Sequence, residues 1–241
     1  CARPRTIACM ARADTDDLPT GETKVKAVQS MFDAIAPRYD LVNRVMTFRM
    51  DVGWRRRTLR ELGLPHGSTV LDLACGTGDL CRGLREQGLR PVGMDLSFGM
   101  LAAATVTTPL VQADALRLPV ADEAVDGVTC GFALRNFREL DPFFAELARV
   151  VRPAGRIALL EVAEPANPVL RWGHGIYFGK VVPVIGGLLS DPAAYRYLPR
   201  SVAYLPDPAD MLAMLAGHGF ERVERTLLST GIAQLVTATR S

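Results

Sequence analysis

Short apolar strands alternate with helices along the middle of the chain, and this alternation restricts the fold more than any other feature of the sequence. The strands are predicted at residues 69–74, 91–94, 110–113, 125–131 and 157–162. The helices between them are predicted at residues 79–86, 97–105 and 141–151. Such an alternation forms a parallel sheet covered on both faces, and right-handed crossovers bring the carboxyl ends of the strands to one edge. We expect a ligand to bind at that edge.

The last part of the chain completes the sheet with a hairpin. Asp207 and Pro208 have the N-cap and first-turn chemistry that starts a helix. Two strands follow at residues 223–228 and 232–239, joined by a Ser-Thr-Gly turn. The predicted fold class is therefore α/β and Rossmann-like, with a mainly parallel seven-stranded sheet, a C-terminal antiparallel hairpin and helices on both faces.

The segment before the first strand divides into a tail and a cap. Residues 1–22 have no hydrophobic periodicity, which indicates a disordered tail, and residues 23–241 are expected to form a single domain. Within this domain, residues 23–66 are predicted to form a helical cap. Its first helix ends at Pro37, and a second helix is predicted over residues 45–62.

Residues 165–205 interrupt the alternation with a mixture of glycine, proline and aromatic residues. We interpret this stretch as an insertion on the substrate side of the sheet and not as a separate domain. Its apolar part, residues 176–189, is too short to span a bilayer and too often interrupted by glycine and proline to form one helix. Core packing and the mouth of a ligand site are the two interpretations of this part.

Charge and cysteine content narrow the classes of partner. The formal net charge is +2, with charges of both signs spread along the chain, so nucleic acid is not expected as a partner. The densest basic run, Trp54-Arg55-Arg56-Arg57, is interpreted as a solvated helix face, with contact to phosphate or to a membrane as the alternative. The 5 cysteines lack paired spacing, which predicts neither a disulfide framework nor a metal site. Without an apolar signal sequence, the expected location is the cytoplasm.

A loop with two glycines joins the first predicted strand to the following helix. Residues 72–79 read Asp-Leu-Ala-Cys-Gly-Thr-Gly-Asp, and Gly76 and Gly78 permit a tight turn with close approach of a nucleotide to the backbone. Dinucleotide-binding loops place a third glycine three residues later, where this chain has Cys81. Asp72 could meet the positive amino group of an amino-acid ligand, a group that dinucleotides lack. The loop therefore predicts S-adenosylmethionine as the cofactor.

Acidic residues also end the next two strands. Asp95 follows the second strand and is expected to accept hydrogen bonds from the two ribose hydroxyls of the cofactor. Its alternative role is electrostatic, at the N-terminus of the next helix. Asp114 follows the third strand and is expected to accept a hydrogen bond from the exocyclic amine of adenine. With Asp72, these acids end three successive strands, and we expect them to line one site.

Several motifs together resemble known methyltransferases. The loop at 72–79, Asp95, Asp114-Ala115 and the Arg-Pro-Ala-Gly-Arg turn at 152–156 are similar to those of class I methyltransferases. A narrower resemblance, over residues 28–240, is to the ubiquinone/menaquinone biosynthesis C-methyltransferase family. It is carried by residues 32–43 (Phe-Asp-Ala-Ile-Ala-Pro-Arg-Tyr-Asp-Leu-Val-Asn), by Trp54-Arg55 and by residues 131–136 (Gly-Phe-Ala-Leu-Arg-Asn).

The resemblance implies a fold, a cofactor site and a reaction. The fold would be the Rossmann-like class I methyltransferase fold, and Thr77, Asp95, Asp114, Ala115 and Gly131 would line the cofactor. The reaction would transfer a methyl group from S-adenosylmethionine to a ring carbon of a polyprenylated quinol. It would convert demethylmenaquinol to menaquinol in menaquinone biosynthesis, or methylate the corresponding benzoquinol of the ubiquinone pathway.

Two other functions are weighed against this reaction. The first is a small-molecule methyltransferase of secondary metabolism, and the second is a non-catalytic nucleotide-binding protein. A polyprenylated substrate also implies peripheral contact with the inner face of the membrane. A homodimer is compatible with the sequence.

Three residues are candidates for catalysis. Arg135 and Asn136 follow the fourth strand, and we expect Arg135 to stabilise a developing phenolate and Asn136 to orient an oxygen. A loop salt bridge and a helix cap are their alternative roles. Tyr39 would come from the N-terminal helices that close over the cofactor, or would form a structural hydrogen-bonded corner. The proton acceptor is unassigned, and His174 is either a base or a packing residue.

Overall fold

The computed structural model describes residues 20–189 and 191–241, and within them seven strands form one sheet. The strands are β1 (Thr69–Leu73), β2 (Arg90–Asp95), β3 (Leu110–Gln112), β4 (Val125–Gly131), β5 (Val151–Val162), β6 (Phe220–Leu228) and β7 (Ala233–Arg240). Their order across the sheet is β3-β2-β1-β4-β5-β7-β6, parallel from β3 to β5 and antiparallel at β7 and β6. The predicted fold class is confirmed.

Helices cover both faces of this sheet. They are α1 (Gly21–Ile35), α2 (Tyr39–Met46), α3 (Met50–Leu62), α4 (Asp79–Glu86), α5 (Phe98–Ala103), α6 (Leu140–Val150), α7 (Pro168–Ile176), α8 (Val182–Leu189), α9 (Pro192–Ser201) and α10 (Pro208–Gly217). On one face, Phe143 of α6 and Leu215 of α10 belong to the same buried cluster as Ile157 of β5. On the other, Leu62 of α3 clusters with Ala158, the next residue of β5. Alternation along a strand therefore supplies both cores.

The strand order places a ligand site at the middle of the sheet. From β1 the chain proceeds outward to β2 and β3, and it then returns to β4, on the opposite side of β1, before continuing to β5. The connections leaving β1 and β4 therefore diverge, which opens a crevice beyond their carboxyl ends. The 72–79 loop and the 131–136 segment both leave the sheet at this crevice.

The start of β5 differs from the prediction. The strand begins at Val151 and not at residue 157, so the Arg-Pro-Ala-Gly-Arg turn at 152–156 lies inside it. There the pairing register with β4 shifts, and Ala154 adopts a positive φ of 63°. The local turn chemistry is present, but it forms an irregularity in a continuous strand.

The helical cap is divided more finely than predicted. Helix α1 begins at Gly21, so the last residues assigned to the tail are helical, whereas residues 1–19 lie outside the described residues. The prediction of one helix over residues 45–62 is wrong, because α2 and α3 are separated at Phe48 and Arg49. These two residues have φ values of 50° and 62°, and a left-handed conformation ends a helix.

The insertion is helical, which corrects the prediction that its apolar part is too broken for one helix. Helix α7, a π-helical turn at Tyr177–Val181 and α8 follow one another without a gap. The π-helical turn ends two residues before Pro183, which lacks an N–H for the α-helical pattern. Gly186 makes room for Tyr195, because a Cβ at this position would lie 2.0 Å from Tyr195 Cγ. Packing therefore outweighs the local propensity of these residues.

The cap and the insertion share a core of their own beside the carboxyl edge of the sheet. It consists of Ile35, Ala36, Val42, Met46, Met100, Val182, Ala194 and Tyr195. These residues come from the cap helices, from α5 and from the insertion. The two segments therefore form one structure over the crevice, although they are far apart in the sequence.

Substitution of Gly127 tests the packing of β4 at the centre of the sheet. A Cβ at this position would lie 2.6 Å from the backbone oxygen of Arg156, which cannot rotate away. We expect Gly127→Ala to lower the free energy of unfolding by about 1–3 kcal/mol, measured by urea denaturation. The matched control is Gly53→Ala in α3, where nothing lies within 4 Å and alanine should raise stability by about 0.5–1 kcal/mol. Equal effects of the two substitutions would contradict this packing.

Candidate active site

Two cavities and a narrow cleft lie at the carboxyl edge of the sheet. The strand-end cavity has an empty volume of about 850 Å³, including open solvent, and lies over the ends of β2, β3 and β4. The cap cavity, about 1380 Å³ on the same basis, lies between the cap and the insertion. The loop cleft, about 350 Å³, follows the 72–79 loop. Tyr39 lines all three spaces, which therefore converge at its ring.

The acids at the ends of β2 and β3 line the strand-end cavity. Asp95 accepts hydrogen bonds from the backbone N–H groups of Gly76 and Ser97, both at 2.8 Å. Burial raises the pKa of the Asp95 carboxyl group. Asp114 accepts a hydrogen bond from the N–H of Leu116 at 2.9 Å. A carboxylate has about four acceptor sites, so both acids can also accept hydrogen bonds from a ligand.

The glycines of the site have different roles. Gly76, Gly131 and the neighbouring Ala115 line the strand-end cavity, as the sequence predicts for residues next to the cofactor. Gly78 lines none of the three spaces, and its importance is conformational. Its φ is +86°, and a Cβ there would lie 2.8 Å from Val106 Cγ2. Gly78 therefore allows the loop to turn into α4.

Helix α1 forms a wall of the strand-end cavity, and its lining residues were not among the predicted site residues. It contributes an apolar surface with one amide, consisting of Val25, Val28, Gln29 and Phe32. Several hydrogen bonds fix its position, among them one from Lys24 Nζ to the Phe137 oxygen at 2.6 Å and one from Ser97 Oγ to Asp33 at 2.5 Å. The only sequence signal for this wall is the helical spacing of apolar residues, which any packed helix shares.

The loop cleft contains Asp72 and Thr77. Asp72 is 1% exposed and accepts hydrogen bonds from Thr129 Oγ1 at 2.8 Å and from Cys81 Sγ at 3.3 Å. Burial raises the pKa of Asp72 to about 7. Thr77 Oγ1 donates to Asp40 at 2.6 Å, which connects the loop to α2.

The cap cavity combines polar and apolar walls. Its polar residues include Tyr39, Asn43, Asp51, Arg55 and Arg135, of which Tyr39 and Arg55 also line the loop cleft. Its apolar walls include Trp54, Phe132, Val162, Leu170, Phe178 and Val182. Phe132 also lines the strand-end cavity, so this ring and Tyr39 separate the two cavities.

Arg135 and Asn136 do not line the same cavity. Arg135 lines the cap cavity, is 6% exposed and forms an ion pair with Glu161. Its Nε also donates to Ser201 Oγ at 3.2 Å. Asn136 lines the strand-end cavity, where its Oδ1 accepts a hydrogen bond from the hydroxyl of Tyr197 at 3.2 Å. Of the two, only Arg135 faces a space separate from the predicted cofactor acids.

His174 lines the cap cavity and packs against an aromatic ring. Its ring centroid lies 4.5 Å from that of Phe178, and burial lowers the pKa of the imidazole. Its Nε2 is enclosed and has no hydrogen-bond partner among the residues that the structure describes. These contacts agree with the packing role that the sequence left as one of two interpretations.

The basic run in α3 has two faces, which corrects its interpretation as a solvated helix face. Trp54 is 7% exposed, and its Nε1 donates to Ser229 Oγ at 2.8 Å. Arg55 lines the cap cavity and the loop cleft, whereas Arg56 is exposed. Four consecutive residues of a helix necessarily point in different directions. The helical spacing of this run is therefore the sequence signal that distinguishes the residues facing the interior from those facing solvent.

Comparison with known proteins identifies the family. The sequence profile of the ubiE/COQ5 methyltransferase family matches residues 20–240. The chain belongs to this family. It is 40% identical to the ubiquinone/menaquinone biosynthesis C-methyltransferase UbiE of Syntrophotalea carbinolica, over 88% of this chain and 93% of that protein. It is 42% identical to the demethylmenaquinone methyltransferase of Thermus thermophilus, over 85% of this chain and 97% of that protein.

Solved structures show the same fold. An S-adenosylmethionine-dependent methyltransferase of Mesorhizobium loti has a TM-score of 0.54 at 21% identity, covering 76% of this chain and 95% of that one. A phosphoethanolamine N-methyltransferase of Haemonchus contortus, in complex with S-adenosylmethionine, has a TM-score of 0.58 at 16% identity, covering 77% and 52%. The class I methyltransferase fold is confirmed, and the family member described here is an S-adenosylmethionine-dependent methyltransferase.

The residues of the strand-end cavity and the loop cleft fit this cofactor. Asp95 and Asp114 line the strand-end cavity and offer acceptors of the kind that ribose hydroxyls and an adenine amine need, and Asp72 in the loop cleft offers a carboxyl group of the kind that an ammonium group needs. The glycine turn at 76–78 allows the ligand to approach the backbone. Among residues 20–189 and 191–241, no cluster of His, Cys, Asp and Glu side chains is arranged to hold a metal ion.

The raised pKa of Asp72 predicts a pH dependence of cofactor binding. The free carboxyl group titrates near pH 7, and a ligand ammonium group favours its ionised form. Binding below pH 7 must therefore release a proton, so the affinity for S-adenosylhomocysteine should fall as the pH is lowered from 8 to 6, measured by calorimetry. Asp72→Asn should bind more weakly and lose this dependence. Asp210→Asn, at an exposed position, should keep the native pH dependence of binding. If the affinity of the native protein for S-adenosylhomocysteine did not change with pH, the assignment of Asp72 to the ammonium group would be contradicted.

Proposed function

We propose that this methyltransferase transfers a methyl group to a ring carbon of demethylmenaquinol, giving menaquinol. The observation that carries the proposal is the cap cavity, which is larger than the strand-end cavity, mainly apolar, and meets it at Tyr39 and Phe132. A quinol ring with a prenyl chain needs such a space beside the cofactor site. Relatives that are 38–42% identical and named demethylmenaquinone methyltransferase support the naphthoquinol over the benzoquinol.

The acceptor must be the reduced ring. Bound S-adenosylmethionine supplies a methyl group on a positively charged sulfur, which needs an electron-rich carbon as its partner. The carbons of an oxidised quinone are electron-poor, whereas loss of a hydroxyl proton makes a hydroquinone carbon nucleophilic. The enzyme therefore has mainly to align this carbon and to stabilise the phenolate, and alignment can contribute about 7–11 kcal/mol.

Arg135 is the residue that we assign to the phenolate. It is a buried cation in the wall of the cap cavity, and its pairing with Glu161 and Ser201 fixes the direction of the guanidinium group. A fixed donor in a water-poor site stabilises a developing anion without reorganisation. Glu161 offsets part of the positive charge, so the contribution of Arg135 depends on the hydrogen bonds that it donates.

Tyr39 is assigned to the boundary between cofactor and acceptor. Burial raises the pKa of its hydroxyl group, so it acts as a neutral hydrogen-bond donor. The ring packs edge-to-face on Phe32 of α1, with centroids 5.9 Å apart. This contact connects α1, the wall of the strand-end cavity, to Tyr39 at the boundary with the cap cavity. Such packing excludes water from the place where the methyl group is transferred.

Anaerobic incubation with labelled S-adenosylmethionine and reduced demethylmenaquinol tests this function. We expect one methyl group on a ring carbon, identified by mass analysis, and no product from the oxidised quinone. Methylation of an oxygen, or an unmodified quinol, would contradict the proposal. A matching benzoquinol in a parallel reaction tests the alternative ring.

Replacement of Arg135 should slow turnover without weakening the binding of the cofactor. We expect Arg135→Gln to lower kcat by about 100-fold, with an affinity for S-adenosylhomocysteine within about threefold of native. Because this change leaves Glu161 buried without its partner, Arg135→Gln/Glu161→Gln controls for instability. Arg60→Gln, on the exposed face of α3, should change neither quantity. An equal loss of binding and turnover would argue against the role of Arg135.

The apolar mouth of the cap cavity supports contact with a membrane surface. Phe48 and Val169 line the cavity, yet they are 71% and 75% exposed, and Trp172 of α7 is 72% exposed. Exposed Arg49 and Lys180 lie on the same two segments and would face anionic headgroups. Within the described ranges, no helix is long and apolar enough to cross a bilayer. We propose peripheral contact with the membrane, at the cytoplasmic face, through which the prenylated substrate reaches the cavity.

Homodimerisation is a separate proposal, which a measurement of the molecular mass in solution would decide.

Replacement of Trp172 tests this contact. The residue is exposed and does not line the cap cavity, so Trp172→Ser should reduce co-sedimentation with anionic lipid vesicles several-fold. Methylation of a short-tailed, water-soluble quinol should be unchanged. Leu227→Ser, an exposed position on β6, is the matched control. Equal vesicle binding by both variants would exclude this surface as the docking site.

A further inference from the structure

Arg55 occupies the boundary between the loop cleft and the cap cavity. It lines both spaces, and its side chain is only 15% exposed. Within α3 it forms an ion pair with Asp51, one turn earlier, and its Nη1 lies 3.6 Å from Asp79 Oδ2 at the start of α4. The guanidinium group is therefore held in place beside the turn of the 72–79 loop.

The charges around Arg55 leave it able to bind a further anion. Arg44 and Arg82 also contact Asp79, at 3.5 Å and 2.9 Å. In these ion pairs, three guanidinium groups, those of Arg44, Arg55 and Arg82, share the two carboxylates of Asp51 and Asp79. This cluster has an excess of positive charge at the wall of the cleft. A guanidinium group has five N–H donors, so Arg55 can keep Asp51 and still bind a second carboxylate.

The loop cleft also contains an acid at a separate position. Asp72 lines the cleft with Arg55, and the two charges influence each other. A cleft with a cation at one position and a carboxyl group at another matches a ligand that has adjacent groups of opposite charge. Among the parts of S-adenosylmethionine, only the amino-acid end has this character, with an ammonium and a carboxylate on one carbon.

We propose that Arg55 binds the carboxylate of the amino-acid end of the cofactor, opposite Asp72, and so determines the specificity of the site for the complete cofactor. The inference rests on the identity of the cofactor and is independent of the quinol acceptor. Two other roles of Arg55 predict different results. If Arg55 only formed a structural ion pair, its replacement would weaken the binding of all cofactor analogues equally. If Arg55 contacted only the acceptor, its replacement would not change the affinity for any cofactor analogue.

Calorimetric binding of two ligands separates these roles. S-adenosylhomocysteine is compared with its decarboxylated analogue, an adenosyl thioether that keeps the aminopropyl chain and lacks only the carboxylate. We expect the native protein to prefer S-adenosylhomocysteine by about 10- to 100-fold, the effect of one charge-assisted contact. In Arg55→Gln this preference should fall to within about threefold, because mainly the affinity for S-adenosylhomocysteine is lost.

Two further variants keep the test decisive. Arg56→Gln, the exposed neighbour on α3, should keep the native preference. Arg55→Lys retains the positive charge without the planar guanidinium group, and it should show an intermediate preference for S-adenosylhomocysteine. This variant replaces Arg55→Gln in the test if Arg55→Gln does not fold. The proposal would be overturned if the native protein bound the two ligands with similar affinity, or if Arg55→Gln lost affinity for both ligands equally. No acceptor is present, so failure of the quinol assignment would leave this result unchanged.

Discussion

The carboxylate of Asp95 connects the parts from which the site is built. It accepts one hydrogen bond from Gly76 in the loop after β1 and another from Ser97 at the start of α5. The side chain of Ser97 then donates to Asp33 of α1. A chain of hydrogen bonds therefore runs from the glycine loop, through the end of β2, to the helix that covers the strand-end cavity. The same half-buried carboxyl group has further acceptor sites for a ligand, so we propose that cofactor binding and closure of the site both depend on this residue.

The cap and the insertion divide the crevice into two spaces. Because they share an apolar core, neither segment can be displaced without exposing side chains of the other. Tyr39 lies at the start of α2, where it borders both cavities and the loop cleft. Under the proposed function, this arrangement separates a polar cofactor from a largely apolar acceptor and lets them meet beside Tyr39 and Phe132. The chemistry of a methyl transfer needs little more from the protein than this alignment and a donor for the developing anion.

The sheet and its acids could be predicted from the sequence because they follow from short-range rules. Parallel strands bring their carboxyl ends together, so Asp95 and Asp114 were expected at one edge, and both line the same cavity. Other features depend on contacts between distant segments. The ion pair of Arg135 with Glu161 joins residues from the ends of β4 and β5, and no local pattern indicates it. The continuous helix of the insertion was missed because glycine and proline disfavour helices locally, whereas Gly186 is required by the ring of Tyr195.

We propose that the cofactor and the acceptor occupy adjoining spaces that meet at Tyr39. A crystal structure of the complex with S-adenosylhomocysteine would show where each part of the cofactor lies. We expect the adenosine in the strand-end cavity, with its ribose on Asp95, the amino-acid end in the loop cleft, and the sulfur beside Tyr39 and open to the cap cavity. Adenosine in the cap cavity, or a sulfur turned away from that cavity, would contradict the account.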